Sequence, residues 1–194
     1  MSSIITQIAA VVSVYHMRRH GFAPASVLNV GVGSSSPEVV IWQWLLPDAN
    51  LLGVDPRWSP RGVWTKKLRL PQVAVGVGDG SIQEGSYCGK CRSMKCTDGL
   101  HGKVSVPMST IDKVASDLEG PLFVWMDIDG SEVDALRGAK ETLVRTGWIN
   151  IECHGVIYGP EHASDIDAML RDSGFRLEYR HHGCDDRLYR NIRL

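Results

Sequence analysis

The chain has 194 residues, 43% of them apolar and 22% charged, with a formal net charge of −1. That length and balance suit one compact globular domain that can bury its own core. The near-zero charge gives no global attraction to nucleic acid, and no apolar run approaches the roughly 18–20 residues that span a bilayer.

The first segment, Ile4 to Tyr15, is apolar, and His16-Met17-Arg18-Arg19-His20 follows it. Basic residues after an apolar run, with none before it, are the wrong order for a secretory signal, so a cytoplasmic setting is the default expectation. The segment reads as an amphipathic helix near 3–20 that packs on a sheet or covers a bound cofactor. A buried strand at 26–31 comes next, then a Gly/Ser loop, Gly31-Val32-Gly33-Ser34-Ser35-Ser36, and a helix at 36–46. Ser36 is placed to cap that helix and Pro37 to start it. Glycines let a backbone approach a bound group closely, and the helix start offers free N–H donors. Strand 50–54 ends at Asp55. An acid about twenty residues past a glycine loop is spaced to hydrogen-bond ribose hydroxyls. Otherwise Asp55 simply caps the next segment.

An irregular stretch, 56–70, follows. Pro56 to Arg69 holds Arg57, Arg61, Lys66, Lys67 and Arg69 with Trp58 and Trp64, and no acid. Arg57 could cover a bound adenine or ribose. Interleaved cations and aromatics also suit a nucleic-acid strand, and a solvated face with tucked tryptophans fits equally well. Strand 72–77 precedes an insert at about 80–107. The insert carries Cys88, Cys91, Cys96 and His101 in the pattern C-x2-C-x4-C-x4-H. Zinc takes four such ligands in a tetrahedron. Free thiols in a reducing compartment, or a disulfide in an oxidising one, compete with that reading. Cys184, His181 or His182 could replace His101 as the fourth ligand.

The later half alternates again: helix 109–117, strand 121–127, helix 131–145, strand 148–152, helix 161–173, then strands 175–180 and 187–193. Strand–helix alternation argues for a largely parallel sheet covered on both faces. The last two strands have no helix between them and read as an antiparallel edge hairpin. The strongest local signal is Met126-Asp127-Ile128-Asp129-Gly130-Ser131-Glu132, where an apolar strand ends in two acids before a helix. This is how α/β enzymes bring chemistry to a sheet edge. Glu132, in the first turn of the helix, could serve only the helix dipole.

Taken together, these motifs resemble class I S-adenosylmethionine (SAM) methyltransferases. Asn29-Val30-Gly31-Val32-Gly33 looks like their first motif. Val73 to Gly80, Asp127 to Glu132 with Leu136-Arg137-Gly138-Ala139, and Ile151-Glu152-Cys153-His154 are similar to the FkbM branch. The resemblance implies a Rossmann-like α/β domain: a mostly parallel seven-stranded sheet, helices on both faces, and an antiparallel C-terminal hairpin. It implies SAM as cofactor, held by Asn29, Gly31, Gly33, Ser35, Asp55, Arg57, Val75 and Asp127. Three positions depart from the family pattern. Asn29 stands where an acid is usual, Trp125 where a lysine is usual, and Asp129 where a glutamate is usual.

Methyl transfer from a sulfonium is an in-line displacement governed by positioning, and a hydroxyl acceptor also needs a proton acceptor. The candidates are Asp127, Asp129, Glu152 and His154, with His154 the best base by intrinsic pKa. The expected activity is O-methylation of a small-molecule hydroxyl. Two alternatives remain open: RNA as the acceptor, through the Trp58/Trp64 stretch, or a catalytically silent fold that binds RNA or protein through a zinc-bearing insert.

Overall fold

The computed structural model describes residues 2–32, 37–56, 68–69, 74–82, 106–153, 158–181 and 185–194. Helix α1 (Ser2–Arg19) leads into strand β1 (Ser26–Val30), helix α2 (Pro37–Leu45) and strand β2 (Asn50–Val54). Short strands follow: β3 (Leu68–Arg69), β4 (Ala74–Val75), β5 (Gly80–Ile82) and β6 (Val106–Ser109). After them come α3 (Ile111–Val114), β7 (Leu122–Met126), α4 (Glu132–Arg137), α5 (Lys140–Val144) and β8 (Thr146–Glu152). The order closes with α6 (Pro160–Asp172), β9 (Phe175–Arg180) and β10 (Asp186–Asn191).

Seven strands form the main sheet in the order β3-β2-β1-β7-β8-β10-β9. β10 alone runs antiparallel to its neighbours, so β9 and β10 make the expected edge hairpin. The strand order reverses between β1 and β7, which pair in parallel from Ser26↔Leu122 to Val30↔Met126. In open α/β sheets such a reversal opens a crevice beyond the carboxyl ends of the strands.

Strand alternation sorts the side chains between two cores. On one face Leu28, Val30, Val124, Met126, Ile149 and Ile151 pack under the later helices. On the other face Val27, Phe123, Trp125 and Trp148 meet α1 and α2. Trp125 is 2% exposed, with its ring 5.4 Å from that of Trp42 on α2. The lysine usual at this position would place a charge in that aromatic core. α1 does pack on the sheet, through Ala9, Ala10, Val14 and Met17. Its outer side is apolar as well, with Ile4, Ile8, Val11 and Tyr15 exposed. The helix is therefore apolar on both sides rather than amphipathic.

Three expectations about elements need correction. Among the described residues, the strand expected at 72–77 covers Ala74–Val75, and it belongs to a separate three-stranded sheet, β4-β6-β5. The third strand of the main sheet is instead Leu68–Arg69, from the stretch read as irregular. The helix expected over 131–145 is two helices, parted at Gly138. A Cβ there would lie 2.1 Å from the Gly76 carbonyl oxygen, so only glycine permits the contact. α5 then opens under Asp112, whose carboxylate accepts from the Glu141 and Thr142 backbone N–H groups at 3.2 and 2.7 Å.

Candidate functional site

The crevice is built from the carboxyl ends of four adjacent strands, in the order β2, β1, β7, β8. Their chain exits are stitched together by the backbone. Gly31 N–H donates to the Val54 carbonyl at 2.8 Å, and Asp127 N–H to the Val30 carbonyl at 2.9 Å. Gly31 has φ +95°, and a Cβ on it would sit 1.8 Å from the Asp127 carbonyl oxygen. Both the backbone conformation and the close approach thus demand glycine. Asp55 lies at the exit of β2, half-buried.

Beyond β7 the acids gather. Asp127, Asp129 and Glu152 are each half-buried. Burial, first, and a hydrogen bond with Glu152, second, push the Asp127 carboxyl well above the usual carboxylate range. The charges of Glu152, Asp186 and Asp129 add to the effect. The hydrogen bond between the Asp127 and Glu152 carboxyls needs a proton on one of the two. Two carboxylates this close cannot both ionise readily, so they share one proton. Asp186, 7% exposed, is the register partner of Glu152 on β10. Its Oδ1 accepts from Asn150 Nδ2 at 2.8 Å. The Asn150 Oδ1 in turn meets His181 Nε2 at 3.0 Å and Ser13 Oγ at 3.4 Å. Burial lowers the His181 pKa to about 4, so the ring is neutral and its Nε2–H is the donor to Asn150.

Glu132 has a different role from the one its sequence position suggested. It is fully buried, and its Oε1 accepts from the backbone N–H groups of Ile128 (3.2 Å) and Gly130 (3.1 Å). Its Oε2 lies 2.8 Å from His162 Nε2 on α6. Glu132 therefore fixes the Asp127–Gly130 loop and ties it to a helix outside the motif. In that loop Asp129 has φ +51°. Gly130 has φ +93° and lies under the Tyr158 ring, which a Cβ would enter at 2.7 Å.

On the β1 side, Asn29 is 2% exposed, and its Nδ2 donates to Glu38 Oε1 at 3.0 Å. Asn29 Oδ1 is buried with no hydrogen-bond partner among the described residues. Val75, expected at the cofactor, sits in the aliphatic core with Leu52 and Val54. The Cys153 thiol, next to Glu152, is pushed up to about 12 by burial and is no nucleophile. Gly33, Ser35, Arg57, Trp58, Trp64 and His154 lie outside the described residues, as do Cys88, Cys91, Cys96 and His101. Among the described residues no group of three His, Cys, Asp or Glu side chains is placed to hold a metal, and no helix is long and apolar enough to cross a membrane.

The residues that reading by motif missed are Glu38, Asn150, Asp186 and His162. Asp185-Asp186 in the hairpin and the Pro37-Glu38 helix start were visible as acids. Their partners are distant in sequence, and nothing local joined them to the site.

A family model matches more than half of the chain. The profile of the methyltransferase FkbM domain matches residues 64–177. The 2-O-methyltransferase NoeI of Sinorhizobium fredii (strain NBRC 101917 / NGR234) is 34% identical over 153 residues, covering 65% of this chain and 62% of that protein. Among solved structures, a candidate O-methyltransferase of Nostoc punctiforme PCC 73102 superposes with a TM-score of 0.46 at 11% identity, over 95% of this chain and 56% of that one. MycE, a methyltransferase of the mycinamycin biosynthetic pathway solved with Mg and S-adenosylhomocysteine, gives a TM-score of 0.46 at 17% identity, over 96% of this chain and 48% of that one. The chain thus spans between about half and two thirds of the length of these relatives.

Proposed function

We propose that this chain, which belongs to the FkbM methyltransferase family, transfers a methyl group from SAM to a hydroxyl oxygen of a small-molecule acceptor. The observation that carries the reading is the hydrogen-bonded Asp127–Glu152 carboxyl pair beside the strand reversal, across the sheet edge from Gly31. The O-methyl specificity draws support from the 2-O-methyltransferase relative.

The residues present fit the cofactor. Gly31 brings the first strand's exit against the Asp127 backbone, and Asn29 Oδ1 is a buried acceptor with no donor among the described residues. Gly31, Asn29 and Asp55 would hold the group, with Gly33, Ser35 and Arg57 of the adjoining segments. When bound, SAM supplies a methyl group on a sulfonium, an electrophile that needs no further activation.

The protein's task is then to place the acceptor oxygen and to receive its proton. A hydrogen bond joins the Asp127–Glu152 pair, and burial and Glu152 push the Asp127 carboxyl up. The carboxylate oxygens of the pair can accept a hydrogen bond from the acceptor hydroxyl and orient its lone pair. As the new O–C bond forms, the hydroxyl proton becomes strongly acidic, and the charge on the pair suffices to take it. Asp129 shares the edge and would bind a neighbouring hydroxyl. His154 follows β8 and is the second candidate for proton acceptor. Glu132 and His162 keep the loop in register, because a misplacement of about 1 Å can cost roughly a hundredfold in rate.

The deciding experiment is titration calorimetry with S-adenosylhomocysteine. It is followed by transfer of radiolabelled methyl from SAM to a panel of sugars, polyols and phenols. Micromolar binding and label in a hydroxyl ether support the reading. Folded protein that binds no S-adenosylhomocysteine overturns it.

A further inference from the structure

We infer that the outer face of helices α1 and α2 docks on the surface of an anionic lipid bilayer, with an apolar stripe entering the headgroup layer and Arg18 and Arg19 meeting lipid phosphates. This face shares no residue with the acid crevice, so the docking does not rest on the methyltransferase reading.

A helix that is apolar all round needs cover on every side. The inner side of α1 has it, since Ala9, Ala10, Val14 and Met17 lie in the core. The outer side does not: Ile4 is 66% exposed, Ile8 57%, Val11 47% and Tyr15 56%. At 3.6 residues per turn these four fall within an arc of about 60° and form one stripe along the helix. α2 covers the same face of the sheet. It adds Val40 and Trp44, both exposed. Single apolar side chains on a surface are ordinary, but a stripe across two neighbouring helices marks an interaction site.

Charge selects the occupant. The same helical geometry puts Arg18 and Arg19 on either side of the stripe, one turn beyond Tyr15. Both are exposed, and α1 carries no acid. Glu38, the acid of α2, is buried, and the first exposed acid of the chain, Asp48, follows α2. Arg18 donates to the Leu45 carbonyl at 2.6 Å, and Arg19 lies 5.7 Å over the Tyr15 ring. These contacts hold both guanidinium groups at a groove lined by Val11, Val14, Tyr15 and Leu45, and each keeps N–H donors for a further partner. An apolar groove with a cationic end fits an acyl chain with an anionic head. Arginine binds phosphate through paired hydrogen bonds, and Tyr15 and Trp44 are of the types that settle at headgroup level. A second copy on this face would set arginines against arginines and offer no exposed helix acid in return. Among the described residues no helix is long and apolar enough to cross a membrane, and the buried inner side of α1 keeps it lying on the surface.

The test is flotation of the chain with vesicles of two compositions. One is phosphatidylcholine alone, and the other holds about 30% phosphatidylglycerol, which supplies the anionic charge. Wild type should bind the anionic vesicles at least about fivefold more tightly, and added salt should release it. Ile8→Gln with Val11→Gln should weaken that binding about tenfold or more, because apolar burial holds an interfacial helix in place. Arg18→Gln with Arg19→Gln should weaken it about fivefold for each arginine and leave binding to the neutral vesicles unchanged. The substituted side chains are exposed, so thermal melts should overlay that of wild type. The two lipid compositions and the salt series use wild type alone, and so hold even where a variant fails to fold. Wild type that floats with neither vesicle, or equally with both, overturns the proposal, as does binding that survives both pairs of substitutions. A dimer seen by sedimentation without lipid, and broken by Ile8→Gln with Val11→Gln, gives the face to a second copy and overturns the membrane.

Discussion

Asp127 and Glu132 lie five residues apart in one motif, and their surroundings could hardly differ more. Glu132 is fully buried and fully answered, by two backbone N–H groups and by His162. Asp127 is half-buried, and its side chain meets another acid. A buried carboxylate with matched donors is a structural part. A carboxyl left to share a proton with its neighbour holds free energy that binding or chemistry can use. The comparison teaches that partners, more than burial, separate the two roles.

The largest test of that contrast is Asp127→Asn. An amide can still donate to Glu152, so the fold should persist, but the pair loses its second acidic oxygen. Methyl transfer should fall by about 10²–10⁴, the usual worth of a positioned proton acceptor. Binding of S-adenosylhomocysteine measured alongside should change little. Full turnover in this variant would move the proton to His154 or to solvent.

Glu132→Ala should act in the opposite sense, on stability first. It strands two backbone N–H groups and His162 in a buried place, at a cost of about 3–5 kcal/mol. A urea melt would read that loss directly. A change below about 1 kcal/mol would mean the loop is held by something else. His162→Ala removes only one of the three donors and should cost about 1–2 kcal/mol. If Glu132 organises the loop through His162, the two substitutions together should cost less than their sum in a double-mutant cycle.

The smallest effects are those of pH, and they differ in sign. Burial holds the folded His181 pKa at about 4, below its unfolded value. Its neutral form is favoured, so this contribution is complete above the unfolded pKa and is lost as pH falls toward 4. Between pH 7 and 5 the expected loss is about 1 kcal/mol, allowing for the solvent that reaches the ring. His181→Gln should flatten that slope in denaturant melts. Asp127 is raised instead. Its folded form retains a proton that the unfolded chain gives up, so it favours folding at acid pH and less so as pH rises above the ordinary carboxylate range. Asp127→Asn should therefore gain on wild type in stability as pH increases. A constant difference across pH 4–8 would contradict the shared proton.

Much of the scaffold was legible because its signals are local. The apolar runs at 26–31, 50–54, 121–127 and 148–152 lie within about two residues of the strands observed, since each is a buried run closed by glycine or an acid. Two-residue strands carry no periodicity, and so Leu68–Arg69 and Ala74–Val75 could not be sorted between two sheets. Gly138 looked tolerable within a helix until the Gly76 carbonyl was found against it. Asp127, Asp129 and Glu152 were identified as a group because all three end strands or follow them directly.

The amino-acid sequence by itself determined which residues could form strands and helices, where acids and glycines end them, and the family to which the order belongs. These follow from steric preference and apolar periodicity, which act over a few residues. Only the tertiary structure decided which acids are satisfied and which are not. Glu132 meets a histidine thirty residues away, Asn29 meets an acid nine residues on, and Asp186 reaches the site from the far hairpin. Hydrogen bonds and charges act through space, at distances set by how the sheet brings its strand ends together, and that arrangement turned a row of similar carboxylates into supports and a site.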